Sequence, residues 1–202
     1  MVTDPFIWKK HNSFSDELCD NLIIKFESDP GNQKYRGLTG DGIQPEIKET
    51  WDLLIEGNLW KEEDTIIFQI LSDSVNEYID YLQKYDSRID MMNGIESMVD
   101  GGYHIQKYEP NKGFYTWHND YRFDEKLGSR VLTFMWYLNT VDVGGETEFA
   151  DGTKIKPEKG KLLMFPSTWT YTHRGCMPYS NHKYICTGWI YNGWYKNYDV
   201  KN

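Results

Sequence analysis

Two stretches of this chain repeat apolar residues at helical spacing, and the region after about residue 95 breaks into short alternating runs. Leu18, Leu22 and Phe26 recur every four residues behind Ser15, a good N-cap, with Asp16 and Glu17 placed where a helix dipole favours acids. That pattern predicts an amphipathic helix to about Ser28, stopped by Asp29-Pro30-Gly31. A longer helix is predicted from about Glu62 to Tyr85, with Ile66, Ile67, Ile70, Leu71, Val75, Tyr78, Ile79 and Leu82 on one stripe facing a sheet. Phe6-Ile7-Trp8 reads as an edge strand and Ile47 to Ile55 as another strand. Residues 31–45 carry four glycines and no period, the character of a loop that is either a surface excursion or a lid over a site.

In the second half the candidate strands are Gly102–Tyr108, Phe114–Asn119, Arg130–Asn139, Glu146–Phe149, Thr153–Lys156, Lys161–Phe165, Trp169–Arg174 and Lys183–Tyr191. Turns at regular intervals between them mark a sandwich or barrel, and this order is compatible with a jelly roll. The expected class is therefore α+β, mainly β. At 202 residues, the whole chain (1–202) suits one domain, with residues 1–94 buttressing a core over 95–195.

Composition narrows the partners. The net charge is −9 without any Lys/Arg block, so a nucleic-acid backbone has no basic face to bind. Such an acidic surface could favour a basic peptide, although solubility is the better explanation. Eight Trp and fifteen Tyr allow aromatic-lined pockets besides ordinary core packing. Cys19, Cys176 and Cys186 form neither a metal motif nor a disulfide framework. The first residues lack the apolar core of a secretory signal, and no window approaches the ~18 apolar residues of a membrane span. A reducing, cytoplasmic location and no membrane partner are expected.

The candidate chemistry lies between Tyr108 and Trp189. In an extended strand His118 and Asp120, separated only by Asn119, reach into one cavity, and His173 supplies a third ligand if the chain folds back. Two imidazoles and one carboxylate leave opposite positions on a metal open, as non-haem Fe(II) oxygenases require. Lys183 follows His173 by ten residues and is a cation placed to hold the far carboxylate of a dicarboxylate. An inward Lys needs such a partner, since burying it alone is costly. If Lys183 points inward, strand alternation turns Thr187 and Trp189 inward too, and Thr133, Met135 and Tyr137 share a face on their own strand. The Tyr137 hydroxyl could then reach the same carboxylate as Lys183.

The runs YTWHNDY, SRVLTFMWYLNTVDVGGETEF, KPEKGKLLMF, HRGCMP and KYICTGWIY resemble the 2-oxoglutarate and Fe(II)-dependent prolyl 4-hydroxylases over roughly residues 103–191. The ten-residue step from His173 to Lys183 resembles the collagen-type and algal-type branch. One departure is that Pro178 stands one residue later than the family's His-x-Gly-x-Pro, which alters the local loop. The resemblance implies a double-stranded β-helix. It also implies His118, Asp120 and His173 as ligands of Fe(II), 2-oxoglutarate and O₂ as cosubstrates, and ascorbate to keep iron ferrous. Tyr108 and Tyr137 then neighbour the cosubstrate with Lys183 and Thr187, while Tyr115, Arg130 and Trp189 match positions lining a peptide groove. The implied partner is a peptide or protein, proline-containing by preference. Hydroxylation of another peptidyl residue or of a free small molecule stays open, as does a jelly-roll binding module without turnover.

Overall fold

The computed structural model describes residues 4–29, 31, 33–93 and 97–193. Pro30 of the expected helix stop, Asn32 of the expected loop, and residues 95, 96, 194 and 195 at the ends of the expected core lie outside the described residues. In chain order come β1 (Trp8–Lys10), α1 (Asp16–Ser28), β2 (Tyr35–Arg36), β3 (Leu38–Thr39), β4 (Gly42–Ile43), β5 (Lys48–Glu49), β6 (Trp51–Ile55) and α2 (Lys61–Tyr85). Then follow β7 (Val99–Tyr108), β8 (Phe114–His118), β9 (Phe123–Asp124), β10 (Gly128–Tyr137), β11 (Thr147–Phe149), β12 (Lys154–Ile155), β13 (Leu162–Pro166), β14 (His173–Gly175) and β15 (Lys183–Tyr191).

An eight-stranded antiparallel sheet runs β1-β13-β10-β15-β7-β6-β2, with β9 on β10, and a five-stranded sheet runs β12-β11-β14-β8-β5. Strand alternation sorts the core into two layers. Leu53, Ile105, Phe134, Trp136 and Cys186 on one face of the larger sheet meet Leu22 and Phe26 of α1 and Ile67, Leu71 and Tyr78 of α2. Each fully buried Leu, Ile or Phe contributes about 1.5–3 kcal/mol, so packing rather than propensity holds these helices. The opposite face contributes Tyr108, Met135, Tyr137 and Ile185 to a second core, which Phe149 and Ile155 of the smaller sheet complete. This is the expected jelly roll with helices outside one sheet.

Local signals held where the cause was local. Ser15 Oγ accepts from Leu18 N at 3.1 Å, and α1 ends at Asp29, which takes the left-handed conformation at φ 40°. Other expectations need correction. The first strand lies two residues later than Phe6-Ile7-Trp8, although it does sit at a sheet edge. Ile66 is 39% exposed, because the buried stripe of α2 runs through Ile67, Leu71, Val75, Tyr78 and Leu82. The β10 strand starts and ends two residues before the expected Arg130–Asn139, and β9 was not foreseen.

The Ile47–Ile55 stretch divides between sheets: β5 pairs with β8, whereas β6 pairs with β7. Lys48 and Asp52, both buried, form a 2.6 Å ion pair across the break, and Thr50 Oγ1 donates to Asp52 at 2.7 Å. The 31–45 segment is tied down by pairing of β2 to β6, and its projecting part is the β3–β4 hairpin. Within Trp169–Arg174, residues Trp169–Tyr171 form a 3₁₀ turn and only His173 onward is strand. There Thr172 Oγ1 donates to the Trp169 carbonyl at 3.0 Å, a local bond that competes with strand pairing.

Candidate metal centre and cosubstrate pocket

The pairing of β8 with β14 sets His118 directly opposite His173, and Asp120 follows just beyond the end of β8. Asp120 reaches both rings, with Oδ1 3.9 Å from His118 Nε2 and Oδ2 3.7 Å from His173 Nε2. All three ligand atoms lie within 4.8 Å of one another. Each Nδ1 is held by a backbone carbonyl, His118 by Thr116 O at 2.8 Å and His173 by Tyr171 O at 3.0 Å. Nδ1–H therefore donates outward and both Nε2 lone pairs converge, the tautomer a metal requires. A hydroxyl completes the support: Thr133 Oγ1 donates to Asp120 Oδ2 at 2.8 Å, with Ser167 Oγ 2.9 Å behind it. Two imidazole nitrogens and one carboxylate oxygen on one side of a point fit a divalent first-row ion such as Fe(II).

Burial, reinforced by His173, pushes the His118 imidazole down to about 4, so it is neutral at ordinary pH. For Asp120 burial opposes the charged form, but His173, His118, Thr133 and Arg130 outweigh it and hold the carboxyl below its usual range. The Tyr115 ring stacks on His118 at 3.5 Å between centroids, and Phe165 meets His173 edge-on at 4.8 Å. Those rings fix the imidazole planes.

Lys183 opens β15 opposite Tyr108 and is only 1% exposed. Its Nζ stands 4.7 Å from the Tyr108 ring centroid and 5.7 Å from that of Tyr137, and among the described residues no carboxylate lies within ion-pair reach. Burial pushes its ammonium down to about 8. The pocket's other hydroxyls are already committed. Tyr108 donates to Gln106 Oε1 at 3.1 Å, Tyr137 to Thr147 Oγ1 at 2.7 Å, and Thr187 to the Phe134 carbonyl at 2.7 Å. Tyr137 thus contributes its ring beside the ammonium, while its hydroxyl goes to Thr147. Gly145, at φ 75°, passes close to the Lys183 stem, and a Cβ there would stand 3.5 Å from Cδ in a backbone shape that L side chains resist. The later proline is accommodated by an antiparallel bridge between Gly144 and Pro178.

Tyr115 and Trp189 line both the metal cavity and a neighbouring groove, and Arg130 lines the groove. Leu38 and Thr39 of the β3–β4 hairpin form part of that groove's wall. The Arg130 guanidinium lies 3.5 Å from the Trp189 ring centroid, and its Nε donates to Tyr191 Oη at 3.0 Å. Sequence reasoning missed the Asp120-holding role of Thr133 and the presence of Gln106 in the cavity. Both carry a period-2 signal, since Thr133 shares a strand face with Tyr137 and Gln106 with Tyr108. The groove residues Tyr35, Lys48, Asp52 and His104 come from segments without any motif.

The fold and these three side chains make a jelly roll with a candidate site for a single metal ion. Residues 103–191 match the family model of the 2OG-Fe(II) oxygenase superfamily. "Probable prolyl 4-hydroxylase 8" of Arabidopsis thaliana is 25% identical over 93% of this chain and 69% of its own length. "Probable prolyl 4-hydroxylase 3" of the same plant is 31% identical over 45% of this chain, which spans only 40% of that relative. The fold superposes on the viral collagen prolyl hydroxylase of Paramecium Bursaria Chlorella virus-1 with a TM-score of 0.65, covering 92% of this chain and 95% of that one at 20% identity. By sequence the chain is thus similar to the 2OG-Fe(II) oxygenase superfamily, and the relatives it matches are named as prolyl 4-hydroxylases.

Proposed function

We propose that this chain is a 2-oxoglutarate- and Fe(II)-dependent dioxygenase that hydroxylates a prolyl residue in a peptide or protein. The observation that carries the reading is the convergence of His118, Asp120 and His173 beside a buried ammonium that lacks an anionic partner among the described residues. Bound Fe(II) would supply the oxidative chemistry by which 2-oxoglutarate and O₂ become succinate, CO₂ and one hydroxyl on the substrate.

The chain's own residues do the placing. His118, Asp120 and His173 would hold the ion from one side and leave its other side open. Lys183 binds the distal carboxylate of 2-oxoglutarate between the rings of Tyr108 and Tyr137, and Thr187 lines the same wall. Tyr115, Arg130 and Trp189 receive the peptide, where a flat proline ring desolvates well against an aromatic face. The relatives' names support the prolyl target.

The whole chain, 1–202, acts as one oxygenase unit in this reading. Ascorbate maintains the ferrous state. No helix among the described residues is long and apolar enough to cross a membrane, and three unpaired thiols suit a reducing, cytoplasmic setting.

Anaerobic Fe(II) plus 2-oxoglutarate should give a weak visible charge-transfer band, and succinate should form faster with proline-rich peptides. Failure of both defeats the reading. Stimulation by free amino acids alone replaces the peptide with a small molecule.

A further inference from the structure

The groove beside the metal cavity has the opposite electrical sign to the chain as a whole. Against a net charge of −9, Arg122 and Arg130 both line it, and among the described residues neither guanidinium has a carboxylate within ion-pair distance. Arg130 spends its bonds on neutral oxygens, the Tyr191 hydroxyl and the Asp120 carbonyl. The groove's remaining charges cancel or are committed: Lys48 pairs with Asp52 at 2.6 Å, and Asp120 faces the two imidazoles.

A second, independent feature asks for an acceptor. The indole Nε1 of Trp189 is buried without a hydrogen-bond partner, on a ring that lines both the groove and the metal cavity. A buried donor left unpaired is costly, and an incoming oxygen relieves it.

We propose that the substrate is an acidic peptide: an Asp or Glu close to the hydroxylated residue is held in this groove by Arg122, with Arg130 adding to the field. The inference rests on the peptide-hydroxylase reading and deepens it. Within a Debye length of about 8–10 Å the two local cations outweigh the diffuse negative surface, so the local sign decides. A basic peptide, which the overall charge would favour, is disfavoured.

The test uses fluorescein-labelled peptides with one central proline flanked by Asp, Ala or Lys, binding to the full chain in EDTA, alongside succinate release by the Fe(II)-loaded enzyme. The Asp peptide should bind the metal-free protein more tightly than the Lys peptide by at least about fivefold at low salt, and kcat/KM should rank likewise. Added salt should shrink the difference. Arg122→Glu should abolish or reverse the order, and Arg122→Lys should keep it. Equal binding of the three peptides, or preference for Lys, overturns the inference while prolyl turnover still stands. Should no peptide stimulate succinate release, the hydroxylase reading fails and the inference falls with it.

Discussion

Thr133 Oγ1 donates a 2.8 Å hydrogen bond to Asp120 Oδ2, joining the middle of a strand in the larger sheet to the acid beyond the end of β8 in the smaller one. The bond holds the carboxylate against rotation beside the two imidazoles. Thr133→Val keeps the shape of the side chain and removes the donor. Metal affinity should fall about 10–100-fold, the usual effect of losing such a support, as measured by Co(II) titration. Unchanged affinity would show that the bond is incidental.

The buried ammonium of Lys183 is a cost to the protein without cosubstrate. Lys183→Met should raise the melting temperature of the cosubstrate-free protein, since it replaces an unpaired buried charge with an apolar chain of similar length. Binding of 2-oxoglutarate should weaken at least about thirtyfold. Calorimetry on both forms checks the two opposed effects.

The same residue makes stability and binding respond oppositely to alkali. Its pKa in the fold is pushed down to about 8, whereas the unfolded chain keeps the proton to about 10.4. Between those values the unfolded state binds more protons, so unfolding free energy should rise with pH. Affinity for 2-oxoglutarate should fall over the same window, because the neutral amine cannot pair with a carboxylate. Urea melts and cosubstrate titrations from pH 7 to 10 measure the pair, and Lys183→Met should flatten both.

Acid acts through His118. With its pKa pushed down to about 4 against about 6.5 when unfolded, the metal-free protein should lose stability as pH falls through that window. His118→Ala should reduce the slope in denaturation series run in EDTA.

The Lys48–Asp52 pair ties β5 of one sheet to β6 of the other. Lys48→Met alone strands a buried carboxylate and should destabilise by about 3–5 kcal/mol. Adding Asp52→Leu should recover much of that loss in chemical denaturation, and a double variant no better than the single would contradict the account.

Much of this was legible along the chain because its causes are local. Helix α1 and its cap, the buried side of α2 apart from Ile66, and the inward row Lys183, Thr187, Trp189 follow from periods of 3.6 and 2 that any short window displays. The spacing of His118 and Asp120 marks two candidate ligands, but Asp120 lies just beyond the end of β8, so strand alternation alone does not place it. Tertiary structure alone decided what depends on distant segments meeting. It set His173 opposite His118 through the register of β14 on β8, brought Thr133 under Asp120, gave the Tyr137 hydroxyl to Thr147, and split one apolar run between two sheets at Thr50. A side chain's period is written in its neighbours, whereas its partner depends on long-range pairing, which no local stretch of sequence encodes.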